Sequence, residues 1–380
     1  AWACSSGGPS MDRRTFLATA GSGLVGSIAG CLGGAGNDGA GEPTFDPTTA
    51  APTGNAGGVS IADLPPLSGD LTIYLGRGEG GLYDALLAHF QNERYPDLTL
   101  DVRRDSSAAL ANTIIEEEAN GTSPADVFWS IDTGALGAVA GQGYAAPLPA
   151  DVTGLVPDRF ANPDGLWTGI AGRARAIPYN TDELDAAEVP TEIGAFPGNP
   201  RFQDAMGWAP TYGAFQAFVT AMRYVEGEAE TRRWLQGMLE AGVTRYSGEF
   251  LVTNAVAEGE LVAGFANHYY GLRLQTAKPE APLGLAFTRN DAGALINASG
   301  ALVLGSSERQ ALAANLLAHL LSVEVQEFLA AEAAEYPLVE AVDPPGGLPP
   351  IGELNPPPFD LTNLGDVEST LDMLRAVGVL

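Results

Sequence analysis

Residues 71–105 read LTIYLGRGEGGLYDALLAHFQNERYPDLTLDVRRD, and this stretch decides the fold. The short apolar run at 71–75 predicts a strand, the apolar residues three and four apart in 82–90 predict a helix, and 98–102 predicts a second strand. Strands that alternate with helices are typical of a doubly wound α/β sheet with mostly parallel strands. A ligand is then expected at the carboxyl ends of these strands.

The same alternation continues along the chain. Further helices are predicted at 106–120, 134–141, 213–226, 228–241, 308–321, 324–334 and 366–377, and further strands at 126–131, 261–266 and 301–304. About 300 residues of this pattern exceed what one hydrophobic core usually serves, so we expect two lobes. The segment 343–359 is rich in proline and is expected to be irregular.

An export signal precedes the folded part. Arg13 and Arg14, followed by Phe16-Leu17, match the twin-arginine signal, and a weakly apolar run leads to Ile28-Ala-Gly-Cys31. The small residues before Cys31 form a lipoprotein cleavage box, so a diacyl-type lipid on Cys31 is expected. The alternative is that 13–31 form a core helix.

The segment after Cys31 is mostly Gly, Ala, Asn, Asp, Thr and Pro, which predicts a flexible tether. The expected organisation is an upstream segment at 1–10, the signal at 11–30, the tether at 31–68, lobe 1 at 69–172, lobe 2 at 173–299, a segment returning to lobe 1 at 300–342 and a tail at 343–380.

The formal net charge is -28, the sequence pI is about 4.2, and Lys278 is the only lysine in the chain. Such a surface repels nucleic acid and anionic lipid, so neither is an expected partner. Acidic excess with few lysines is typical of proteins from concentrated salt, where charge repulsion is screened over a few ångströms. We interpret the chain as a halophile's protein.

The residues Asn267-His-Tyr-Tyr270 directly follow the predicted strand at 261–266. They place two phenols at a strand's carboxyl end. A phenolate is a hard oxygen ligand that suits Fe(III), although a free phenol has a pKa of about 10, so the cation must displace the proton. The alternative for a tyrosine pair is packing, or stacking on a carbohydrate-like ligand.

Six stretches, in order, resemble the iron(III)-binding family of ABC-transporter substrate-binding proteins, the bacterial transferrins. They are LTIYLGR at 71–77, PADVFW at 124–129, GRARAIPYNT at 172–181, WAPTYGAFQAF at 208–218, GFANHYY at 264–270 and the closing stretch 321–337. The resemblance implies an α/β, two-lobe periplasmic-binding-protein type II fold. Its ligand cleft lies between lobes that are joined by crossover strands and close by hinge motion.

The resemblance implies that Tyr269 and Tyr270 ligate iron. It also implies a further tyrosine ligand on a crossover strand, at Tyr179, for which interdomain packing is the alternative. Two positions depart from the family. Gly78 stands where many members have a histidine, and the family's glutamate is missing from Ser130-Ile-Asp132.

Charged residues close to these two departures could complete the site. Asp132 or Glu79 could supply a carboxylate to the metal, and Arg77 could pair with an anion. The alternative for each of them is a charge at the rim of the cleft.

A predicted helix begins within the segment 210–215, and its free N–H groups can form an anion site. The resemblance implies that Tyr212, Gly213 and Ala214 carry this site. The resemblance implies a synergistic phosphate or carbonate there, with Asn267 donating from the other side. The alternative is an ordinary helix N-terminus.

The expected function is that of a monomeric lipoprotein, exported by the twin-arginine route and anchored through Cys31 on the outer face of the cytoplasmic membrane. It would deliver Fe(III) to the permease and ATPase of an ABC importer. No catalytic triad order, Walker loop or zinc spacing occurs, so no enzyme is expected. The alternatives are a receptor for a thiamine-, polyamine- or organophosphate-type solute, an anchored envelope hydrolase and a structural surface protein.

Overall fold

The computed structural model of the chain describes residues 58–78 and 81–380. The upstream segment, the signal with Cys31, the tether as far as residue 57, and Glu79 lie outside the described residues. No helix in the part of the chain that the structure describes is long and apolar enough to cross a membrane.

The described residues alternate between strands and helices, as the sequence predicts. The strands are β1 (Gly69–Gly76), β2 (Leu98–Asp105), β3 (Val127–Ser130), β4 (Ala145–Ala146), β5 (Thr168–Asn180), β6 (Met206–Trp208), β7 (Thr244–Arg245), β8 (Ala263–Gly264), β9 (Ala266–Asn267), β10 (Leu283–Ala286), β11 (Ile296–Leu304) and β12 (Tyr336–Pro337). The helices are α1 (Leu82–His89), α2 (Ser107–Ala119), α3 (Thr133–Gly141), α4 (Ala150–Thr153), α5 (Gly213–Val225), α6 (Glu228–Glu240), α7 (Glu249–Ala257), α8 (His268–Ala277), α9 (Gln310–Leu320), α10 (Val323–Ala333), α11 (Ile351–Leu354) and α12 (Val367–Val377).

The first sheet has the order β2-β1-β3-β11-β5. Strand β1 is parallel to both β2 and β3, whereas β11 is antiparallel to β3 and to β5. The carboxyl ends of β1, β2 and β3 therefore lie at one edge of the sheet. Gly76, Asp105 and Ser130 are the last residues of these three strands.

Strand β5 joins this sheet to a second one. Near its start Gly172 pairs with Tyr336 of β12, whereas further along Arg175 pairs with Asn267 of β9 and Tyr179 pairs with Ala263 of β8. Strand β8 is parallel to β6, and β6 is parallel to β7. Strand β5 is therefore a crossover strand between two α/β halves, which confirms the predicted two-lobe fold class.

Two of the differences from the sequence prediction concern residues 249–267. The predicted strand at 261–266 is split by Phe265 into β8 and β9. Strand β8 pairs with β6 and with Tyr179 of β5, whereas β9 pairs with β5 at Arg175 and Ala176. Helix α7 was not predicted. Its sequence EFLVTNAVA is apolar on most sides and rich in residues that favour strands, so it has no clear helical period.

The tail contacts both halves of the molecule. A short turn, Leu361–Gly365, packs on α3, where a Cβ at Gly137 would lie 2.9 Å from Thr362 Cβ. The following helix α12 packs on α5, and the hydroxyls of Thr370 and Thr220 are hydrogen-bonded at 2.7 Å.

Candidate functional site

Tyr269 and Tyr270 lie in the first turn of α8, directly after β9. Their ring centroids are 4.4 Å apart, and Tyr269 is only 6% exposed. The preceding His268 is fully buried and accepts a hydrogen bond at Nδ1 from the Ala174 backbone N–H at 3.2 Å. Burial lowers the pKa of His268 to about 3, so a neutral imidazole fixes the start of α8 on β5.

A third phenol joins the pair. The Oη atoms of Tyr212 and Tyr270 are 2.5 Å apart, and the two ring centroids are 6.4 Å apart. Tyr212 is the N-cap of α5 but makes no side-chain capping hydrogen bond. Sequence reasoning assigned Tyr212 to the anion turn and missed its phenol as a partner of Tyr270. A tyrosine at an N-cap, where Ser, Thr, Asp or Asn is preferred, is a signal that could have indicated it.

The environment of the cluster disfavours phenolates when no cation is bound. Burial raises the pKa of Tyr270 far above its ordinary value, and the nearby Tyr269 and Tyr212 phenols act in the same direction. A phenolate in this place therefore needs a compensating positive charge. A bound cation provides one and displaces the protons.

Asn267 connects the phenols to a buried charge pair. Its Nδ2 donates to Tyr269 Oη at 3.3 Å, and its Oδ1 accepts from Arg175 Nη1 at 3.1 Å. Arg175 also donates to Glu249 Oε1 at 2.5 Å. Sequence reasoning missed Arg175 and Glu249, because no local pattern relates a residue of β5 to the first residue of α7.

The predicted anion turn lies beside the phenols. Helix α5 begins at Gly213, and the first N–H groups of a helix have no partner within it. A Cβ added at Gly213 would meet nothing within 4 Å, so space is open in front of this residue. Since Tyr212 belongs to both features, Tyr212, Gly213 and Ala214 adjoin the phenol cluster.

Tyr179 lies apart from the cluster. It is four residues further along β5 than Arg175, which pairs with Asn267, and four strand residues span about 13 Å. Its ring lies over Gly284, at the place that a Cβ would occupy. Burial raises the pKa of Tyr179, and the charge of Asp185 adds to this. Within the described residues, no hydrogen bond joins Tyr179 to the three phenols.

The opposite edge of the cleft is formed by the first sheet. Asp132 is the N-cap of α3 and accepts from the Ala135 N–H at 2.9 Å. Burial raises the pKa of Asp132, against the opposing effects of the Ala135 hydrogen bond and the charge of Arg173.

Arg77 is exposed directly after β1 and lines a cavity of about 270 Å³. Arg104 and Asp84 line the same cavity and are paired with each other. The structure therefore does not bring Arg77 or Asp132 into contact with the phenols.

The donor types in the cleft limit the chemistry it can perform. Residues 58–78 and 81–380 contain no group of three or more His, Cys, Asp or Glu side chains that could hold a metal ion. The phenols of Tyr212, Tyr269 and Tyr270 lie together in the cleft, and phenol oxygens are hard donors once deprotonated.

Two α/β halves joined by a crossover strand, with polar groups converging between them, define a solute-binding protein of the periplasmic-binding-protein type II fold. Residues 122–358 match the sequence profile of a family described as "Bacterial extracellular solute-binding protein". The chain belongs to this family.

The chain is similar in sequence to named relatives and in structure to a solved protein. The chain is 32% identical over 327 residues to the "Major ferric iron-binding protein" of Neisseria meningitidis, covering 84% of this chain and 96% of that protein. It is 30% identical over 272 residues to "Iron uptake protein A2" of Synechocystis, covering 68% and 78%. The structure of iron-bound HitA from Pseudomonas aeruginosa matches with a TM-score of 0.70 and 31% identity, over 81% of this chain and 99% of HitA. The predicted resemblance is confirmed.

Proposed function

We propose that this chain is the extracytoplasmic receptor of an ABC importer and that it captures Fe(III) through Tyr269, Tyr270 and Tyr212. The observation that carries the proposal is the convergence of three phenols from two segments, with the Oη atoms of Tyr212 and Tyr270 2.5 Å apart. The relatives that are named for ferric iron support this choice of cargo.

Fe(III) fits the donors better than a softer or less charged ion does. Phenolate oxygens are hard and anionic, and three of them would neutralise the charge of Fe(III). The absence of a His, Cys, Asp or Glu cluster from the described residues argues against zinc, for which nitrogen and sulfur ligands are typical.

The coordination positions left over by three phenolates call for a further oxygen ligand. We propose an oxyanion, phosphate or carbonate, held by the N–H groups at Gly213 and Ala214 and by Asn267. Lobe closure could also bring in the carboxylate of Asp132 or Glu79, or the charge of Arg77. Tyr179 is the least favoured ligand, because its ring lies over Gly284.

We also propose a cellular location for the receptor, from the sequence alone. The twin-arginine signal would export the chain, and a lipid on Cys31 would anchor it to the outer face of the cytoplasmic membrane. A permease and an ATPase would then take up the released cargo, and the receptor itself would perform no catalysis.

The test is a titration of the metal-free mature protein with Fe(III) nitrilotriacetate in the presence of phosphate or carbonate. A visible tyrosinate-to-iron charge-transfer band that saturates at one iron per chain is expected. A protein that stays colourless and retains no iron after desalting would overturn the proposal. Mass spectrometry of the ligand that copurifies would then identify an organic solute.

A further inference from the structure

A buried charge pair lies behind the phenol cluster. Arg175 of β5 is 4% exposed, and Glu249, the first residue of α7, is fully buried. Arg175 Nη1 donates to Glu249 Oε1 at 2.5 Å, and the Arg175 guanidinium lies 5.4 Å from the ring centroid of Phe218 in α5. The pair thereby connects the strand and helices that surround the cluster.

Both members of the pair hold Asn267. Its backbone N–H donates to Glu249 Oε2 at 2.9 Å, and its side-chain Oδ1 accepts from Arg175 Nη1 at 3.1 Å. A guanidinium has only donors, so the amide oxygen of Asn267 must face Arg175 and the NH₂ group must face away from it. That NH₂ group donates to Tyr269 Oη at 3.3 Å.

The pair is poorly optimised for stability alone. Arg175 Nη2 is buried and has no hydrogen-bond partner among the described residues. An unsatisfied buried donor is destabilising, and a buried ion pair often contributes less than apolar residues of the same volume. A local arrangement that lowers stability beside a binding site is expected where function requires it.

We propose that Arg175 and Glu249 are positioning residues for the metal site. They orient the carboxamide of Asn267 so that its NH₂ group donates to the Tyr269 oxygen, which fixes the direction of that phenol towards the cation. The proposal rests on the proposed function, because the orientation matters only if Tyr269 binds a metal.

The first experiment reads the orientation of Asn267 without iron. In the metal-free protein, the side-chain amide of Asn267, assigned by its loss in Asn267→Asp, should give two distinct and protected NMR signals. In the double variant Arg175→Met/Glu249→Gln, which removes both charges, these signals should shift and lose protection. Unchanged signals in a folded double variant would overturn the proposal.

The second experiment is a double-mutant cycle on iron affinity. Arg175→Met/Glu249→Gln should weaken Fe(III) binding by about tenfold to a hundredfold, as loss of the group that orients a metal ligand usually does. In an Asn267→Ala background the same change should have little further effect, because Arg175 acts through Asn267. Additive losses in the two backgrounds would contradict the positioning role.

Arg223→Met is the matched control. Arg223 is a partly buried arginine near the C-terminal end of α5 and donates to Asp366 Oδ2 at 3.0 Å and to Thr370 Oγ1 at 2.9 Å. Its loss should lower the Tm while the iron affinity and the charge-transfer maximum stay unchanged. A wild-type protein that binds no iron would refute the proposed function, whereas the metal-free NMR signals would still decide the orientation of Asn267.

Discussion

In the half of the molecule that contains the second sheet, Tyr269 and Tyr270 lie at the start of α8. They contact Tyr212, at the start of α5, in a half-buried cluster. The facing edge of the first sheet presents exposed Arg77, and Asp132 is engaged in capping α3. One edge of the cleft therefore has three phenols, the proposed metal donors, assembled before any ligand binds. On the other edge, the described residues show no such assembly. On the function proposed above, iron would bind first to the phenol edge, and the opposite edge would close over it.

Tyr270→Phe is expected to have the largest effect. Loss of a ligand should cost more than loss of a supporting group, so Fe(III) affinity should fall by more than about a hundredfold. In competition with nitrilotriacetate the charge-transfer band should then disappear, because the variant no longer retains the iron. Absorbance and competition with nitrilotriacetate measure both effects. Tyr224→Phe, at a 49% exposed tyrosine, is the control and should keep the band. A Tyr270→Phe protein that keeps its colour in this competition would show that Tyr270 is not a required iron ligand.

Acid should release the metal. Burial raises the pKa of Tyr270, so the metal-free phenol is protonated at neutral pH and binding must displace its proton. Affinity should therefore fall with falling pH, by about tenfold per pH unit for each displaced proton. Iron retention, followed by the charge-transfer band between about pH 8 and about pH 5, measures this slope. A flat profile would argue against phenolate ligands.

Gly137→Ala tests how the tail supports α3, the helix that Asp132 caps at the edge of the first sheet. The added Cβ would lie 2.9 Å from Thr362 Cβ, and overpacking of this kind costs about 1–3 kcal/mol of unfolding free energy. Gly141→Ala lies in the same helix and has nothing within 4 Å, so it should be neutral or stabilising by up to about 1 kcal/mol. Denaturant unfolding measures both variants, and equal stabilities would show that the tail yields at this contact.

Asp132→Asn should have the smallest effect. Asparagine is as good an N-cap as aspartate, so α3 should be retained. Because burial raises the pKa of Asp132, the stability that its protonated form contributes is lost as the pH rises through that pKa in the folded protein. In the variant, the part of the unfolding free energy that depends on Asp132 should no longer fall with rising pH. Its iron affinity should stay almost unchanged. A fall in affinity as large as that for Tyr270→Phe would identify Asp132 as a ligand.

Much of the fold was predictable because its signals are local. The apolar runs of β1 and β2 and the periodic helices α2, α5 and α6 lie within a residue or a few residues of the predicted bounds. The sequence also predicts that residues 267–270 directly follow a strand. This is possible because the hydrophobic pattern of a strand or helix is visible within about ten neighbouring residues. Helix α7 escaped prediction because it is apolar on most sides.

The sequence by itself determined the alternation of strands and helices, the acidic composition and the presence of adjacent tyrosines after a strand. The tertiary structure alone decided that Tyr212 meets Tyr270, 58 residues away, and that Arg175 meets Glu249, 74 residues away. Periodicity specifies which face of an element is buried, whereas the pairing of β5, β6, β8 and β9 specifies which faces meet. This strand pairing brings Tyr212 to Tyr270, and it brings Arg175 and Glu249 together at Asn267.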